Sequence, residues 1–196
     1  MQLFEARWLV VGVIGLGLAY PVLRADPPAV EPKTPRQKAQ AAIVKLSENL
    51  NAPDVATQAE KIVRENDSCD ISSIFKLRER GGLGIGKAVE AGHRDGIEMV
   101  VADLAKKKTT TEGQLETYQD DYVRVAKILQ AMAELAPYRG EQLVGSSAVK
   151  WGVVSATFKE QTAAFRQALE EKDPKKVRST AVKLRQTCCD CHELRS

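Results

Sequence analysis

In the second half of the chain, apolar residues recur at alternating steps of three and four. Leu115, Tyr118, Tyr122, Val125, Leu129, Met132 and Ala136 lie on one face of a helix, which Pro137 is expected to stop. Trp151, Val154, Phe158, Thr162, Phe165 and Leu169 mark a second helix. Asp173-Pro174 predicts the start of a third, with Asp as N-cap and Pro at the first helical position. Val177, Ala181, Leu184, Cys188 and Cys191 then continue its apolar stripe. Upstream, Ala39, Ile43, Leu46 and Leu50 fit one helix, Asn51 to Asp54 breaks it, and Val55, Ala59 and Ile62 resume it. Ile71 to Arg80 reads as a short helix. Ile97, Val100 and Leu104 suggest another, ending at the solvated run Lys106-Lys107-Lys108. No short alternating runs bounded by turn pairs are found, so the expected class is all-α.

The first 25 residues do not fit this pattern. Met1 to Arg7 is a short charged lead, and Trp8 to Tyr20 is an uncharged run. Leu23-Arg24-Ala25 is an imperfect small-residue cleavage site before Asp26. Residues 1–25 are therefore expected to be an export signal or, if uncleaved, an N-terminal membrane anchor. The run is shorter than the roughly 20 apolar residues of a spanning helix. Asp26 to Pro35 holds four prolines and reads as an extended tether. Residues 36–196 form the expected helical domain. Both versions place it outside the cytoplasm, in the periplasm or at its membrane face.

Charge excludes one class of function. Lys and Arg number 29 against 26 Asp and Glu, a net charge of +3. No aromatic-basic cluster is present, so a nucleic-acid surface is not expected.

The chemistry concentrates at the C-terminus, in Cys188-Cys189-Asp190-Cys191-His192. Cys188, Cys191 and His192 make C-x-x-C-H, the attachment signature of a c-type haem. Two thiols three residues apart share one helix face and reach two vinyl groups as thioethers. The following imidazole is placed to bind the iron. One haem c is expected, attached at Cys188 and Cys191, with His192 as proximal ligand. An exported chain suits this, because haem is attached to such motifs outside the cytoplasm. Gly81-Gly82-Leu83-Gly84-Ile85-Gly86 is not G-x-G-x-x-G and follows no strand, so it is not a dinucleotide loop. It reads either as a plain loop or as backbone passing close to the haem edge.

Residues from about 151 to 195 resemble the C-terminal half of class II c-type cytochromes, the cytochrome c′ and cytochrome c-556 group. The Trp- and Phe-bearing helix, the segment F-R-Q-A-L-E-E-K-D-P and the ending T-C-C-D-C-H-E-L-R carry the resemblance. It implies an antiparallel four-helix bundle, here with an N-terminal helical extension or insertion between about residues 51 and 110. It also implies thioethers at Cys188 and Cys191, proximal ligation by His192, a basic residue after the motif at Arg195, and a tendency to homodimers. Cys189 within the motif and the distant Cys69 depart from the family pattern. They are either a disulfide pair or two thiols.

The second axial position decides between functions. His93, Met99 and Met132 are the candidates, and apolar Ile71, Ile74 or Phe75 would instead cover an empty face. A closed site suits one-electron transfer to redox partner proteins. An open one suits binding of small gases such as nitric oxide or carbon monoxide. A third reading is a thiolate zinc site built from Cys188, Cys189, Cys191 and His192, with or without Cys69. No acid–base pair accompanies the motif, so an enzyme is not expected.

Overall fold

A computed structural model describes residues 34–86, 95–106, 108, 110–140 and 143–194. The segment expected to direct export, His93 and Arg195 lie outside the described residues. Among those described, every regular element is helical, as the periodicity predicts. No helix among them is long and apolar enough to cross a membrane.

Helix α1 (Pro35–Glu48) begins inside the stretch read as a tether. A capping box sets the boundary: the Gln37 N–H donates to the Thr34 hydroxyl at 3.2 Å, and the Thr34 N–H donates to Gln37 Oε1 at 3.1 Å. Helix α2 (Val55–Glu65) follows the predicted break. The expected helix from Ile71 to Arg80 is instead α3 (Ser68–Ser72) and two single 3-10 turns, Ser73–Phe75 and Arg78–Arg80. Helix α4 (Ile97–Leu104) lies where its spacing predicts, with Ile97, Val101 and Leu104 buried.

The stripe from Leu115 to Ala136 spans two helices, α5 (Glu112–Thr117) and α6 (Gln119–Arg139), separated at Tyr118. Pro137 does not stop α6, which continues to Arg139. A proline in the last turn removes only its own N–H, so the loss is confined to the Ala133 carbonyl. Helix α6 is also buried on more than one face. Ile128 and Leu135 are as enclosed as Val125 and Leu129, because α1, α2 and α7 all pack on it.

Helices α7 (Ser146–Glu170) and α8 (Pro174–Glu193) form an antiparallel hairpin. Lys172 turns the chain at φ 54°, and the Lys172 N–H donates back to the Leu169 carbonyl. Asp173 then caps α8, accepting from the N–H groups of Lys175 and Lys176 at 2.9 and 3.1 Å. Val177, Ala181 and Leu184 are fully buried along the predicted stripe. A buried side chain of this size contributes about 1.5–3 kcal/mol.

The four longest helices, α1, α6, α7 and α8, pack in that order as a series. Helix α8 meets α7 on one side and the short α4 on another. The region between residues 51 and 110, read as an insertion, thus supplies a neighbour to the motif-bearing helix.

The glycine run is a tight turn strapped by arginine. The Arg78 guanidinium donates to the carbonyls of Ile85 and Gly86 at 3.3 and 3.1 Å. Gly81 has φ 80°, and a side chain at Gly82 would collide with the Lys76 carbonyl.

Candidate functional site

A cavity of about 530 Å³ opens where α4, α6, α7 and α8 meet. Its walls are largely apolar. Leu129, Met132 and Ala136 come from α6, and Trp151, Val154, Ser155 and Phe158 from α7. Glu98, Met99 and Ala102 come from α4, and Phe75 from the first 3-10 turn. Cys188, Cys191 and His192 line it from the last turns of α8. The cavity forms because the buried stripe of α8 ends at Leu184 and Thr187, while α6 and α7 continue to present apolar side chains.

The motif residues differ in setting. Cys188 and Cys191 are half-buried, and Cys189 and His192 are exposed. Burial pushes the Cys188 thiol up to about 12, with smaller upward contributions from the Glu98 carboxylate and the neighbouring thiols Cys191 and Cys189. His192 Nε2 lies 4.0 Å from Glu98 Oε1, and the imidazole side chain is 77% exposed. Arg139 and Arg185 bring positive charge to the wall. Arg139 is steadied by a 2.8 Å hydrogen bond from Nη2 to the Ser72 hydroxyl.

Ser155 is the least expected wall residue. It is 5% exposed, and its hydroxyl has no hydrogen-bond partner. Helical serines commonly donate to the carbonyl four residues back, but this one does not. A buried hydroxyl without a partner costs about 1–3 kcal/mol relative to a satisfied one. A polar atom presented by an occupant of the cavity would offset that cost.

These features fit a flat, apolar prosthetic group. The donor set is two thiols on one helix face and an adjacent imidazole, facing a cavity within the 300–1,000 Å³ range of cofactor sites. An orphaned hydroxyl waits in the wall. The same geometry does not favour a zinc site. Among the described residues no three His, Cys, Asp or Glu side chains are grouped to hold a metal ion. Cys189 directly follows Cys188 and His192 directly follows Cys191, and adjacent side chains on a helix do not close a tetrahedral set around one ion.

The structure places several of the candidate residues. Met99 and Met132 both line the cavity. Phe75 lines it too, whereas Ile71 and Ile74 are fully buried in the core. The glycine run takes no part in the wall; it packs on Arg36, Arg78 and the Lys76 backbone, so close approach to a haem is not its role. Cys69 on α3 and Cys189 on α8 are exposed thiols and not a disulfide. Helix α1 contributes no side chain to the cavity wall. Ser155 and Glu98 were not singled out from the sequence. Ser155 stands four residues after Trp151 and three before Phe158, a core position occupied by a polar side chain, which is a legible signal. Glu98 has no such signature.

No protein-family model, no curated protein and no solved structure matches this chain. Support for a haem site therefore comes from the Cys188-x-x-Cys191-His192 spacing and from the cavity those residues line.

Proposed function

We propose that this chain is an exported c-type cytochrome that holds one haem c and carries single electrons between redox partner proteins in the periplasm. The observation that carries this reading is the placement of Cys188, Cys191 and His192 together on the wall of one large apolar cavity. Cys188 and Cys191 would form the thioethers, and His192 would be the proximal ligand. When bound, the haem iron supplies the one-electron couple. The apolar side chains of α6 and α7 would shield the haem on their side from water, which favours the less charged reduced state. Arg139 and Arg185 offer cationic partners for the haem carboxylates. The N-terminal segment supports export, and the motif's place on the last of four long helices supports the likeness to cytochrome c′, although α8 packs on α7 and the short α4 where a closed four-helix bundle would pack it on α1.

A second reading is binding of nitric oxide or carbon monoxide at an open iron position. The unpartnered Ser155 hydroxyl favours it, since a buried donor in the wall suits a diatomic ligand.

The test is expression with c-type haem maturation, followed by denaturing extraction and absorption spectra. Haem that stays with the chain, and is lost when Cys188 and Cys191 are both replaced by Ser, is expected. His192→Ala should retain the attached haem and change the spectrum. A ferrous form indifferent to carbon monoxide supports electron transfer, and a responsive one supports gas binding. A chain that never acquires haem overturns both.

A further inference from the structure

Within the haem reading, on which this rests, we infer that Met132 is the second axial ligand. The argument is one of opposed walls. Helices α7 and α8 are antiparallel about the turn at Lys172, so Ser155, about 17 residues before it, is level with Cys188 to Cys191, about as far after it. Helices α6 and α7 are also antiparallel, as Glu134 with Lys159 and Gln130 with Arg166 show. Met132 lies about two turns before the end of α6, and Ser155 about two and a half turns into α7. Met132, Ser155 and the motif therefore share one level of the fold.

Helix α8 packs on α7 and α4, and α6 packs on α7, α1 and α2. Both α6 and α8 line the cavity, and both pack on α7. A group tethered to Cys188 and Cys191, with His192 on its near side, would have the α6 wall available to its far side. Leu129, Met132 and Ala136 form the α6 wall, at steps of three and four. Of these, only Met132 carries an atom that ligates iron, a thioether sulfur. It is 3% exposed, held from water before any group binds.

Met99 is placed differently. It belongs to α4, which packs directly on α8, and its neighbour Glu98 approaches His192 Nε2. Helix α4 thus flanks the proximal side. The iron would be six-coordinate, with the thioether stabilising the ferrous state.

The chain has three methionines, Met1, Met99 and Met132, so methyl-labelled methionine gives an NMR spectrum of at most three lines. In the reduced haem-loaded protein, the methyl of the ligand is expected far upfield, shifted by the porphyrin ring current. It should disappear in Met132→Leu and persist in Met99→Leu. Ferric spectra should show the weak long-wavelength methionine-to-iron band in wild type and Met99→Leu, and its loss in Met132→Leu with haem still covalently attached. A high-spin wild type, a low-spin wild type lacking that band, or a band that survives Met132→Leu overturns the assignment and leaves the haem reading intact. Absence of covalent haem from every variant overturns both. The wild-type spectrum shows whether a methionine ligates at all, and persistence of the shifted line in Met99→Leu excludes Met99 even if Met132→Leu folds poorly.

Discussion

The indole N–H of Trp151 donates to the Ala136 carbonyl at 2.8 Å, joining the start of α7 to the end of α6. That carbonyl needs a partner. In a regular helix it would accept from the Gly140 N–H, but that group instead donates to Pro137. The indole therefore caps α6 while its ring forms part of the cavity wall. Gly140 lies so close to the ring that a side chain there would collide with it.

Trp151→Phe should keep most of the wall and leave the carbonyl unsatisfied, at a cost of about 1–3 kcal/mol. Gly140→Ala should push the indole aside at a cost of about 1–3 kcal/mol. Urea unfolding measures both. Tryptophan fluorescence reports the displacement in Gly140→Ala, and an unmoved emission maximum would contradict the contact.

Arg78 grips Asp95 twice, donating from its backbone N–H at 3.0 Å and from Nε at 2.7 Å. Burial alone would raise the Asp95 carboxyl, but the hydrogen bonds and charge of Arg78 outweigh it and hold the pKa below its ordinary value. The stabilisation is therefore fully present above the unfolded carboxylate value, about 3.9. It is lost as pH falls through the lower folded value. Asp95→Asn should destabilise the protein by about 1–2 kcal/mol near neutral pH. The gap between wild type and variant should close in acid. A gap that stays constant down to pH 2 would show that the charge is not what matters.

In the haem-free protein the cysteines should differ in reactivity. Cys69 and Cys189 are exposed, whereas Cys188 is half-buried and its thiol is pushed up to about 12. The thiolate is the reactive form. At neutral pH, iodoacetamide should modify Cys188 roughly tenfold or more slowly than Cys189. Urea should abolish the difference. Peptide mass spectrometry reads each site, and equal rates in the folded protein would refute the burial of Cys188.

Ser155→Ala should stabilise the haem-free protein by about 1 kcal/mol, because it removes a buried hydroxyl that has no partner. With haem attached the gain should shrink if the hydroxyl engages the group. Thermal unfolding of both forms measures the difference. Destabilisation of the haem-free form would mean that the hydroxyl is already satisfied.

Much of this was legible in the chain. Asp173-Pro174 marked the start of α8, and the step pattern placed Val177, Ala181 and Leu184 inside. The break at Tyr118 and the continuation through Pro137 were not legible. Both depend on what surrounds the helix. Gln119 anchors the start of α6 to the Leu169 carbonyl at 2.8 Å, and Trp151 holds the end. Those partners lie 50 and 15 residues away in the chain, beyond the reach of a local pattern.

The sequence by itself determined that the chain is helical, where most of its helices run, which of their faces are apolar, and that two thiols and an imidazole share one turn. These are local properties, set by a repeat of 3.6 residues and by capping side chains. Only the tertiary structure decided what those residues face. It put Met132 and the motif on the wall of one cavity, brought Glu98 beside His192, left Ser155 without a partner, and kept α1 away from the cavity. An apolar stripe states that a helix face must be covered. Which helix covers it, and where the cover stops short and leaves a cavity, depends on the lengths and packing of all the helices together.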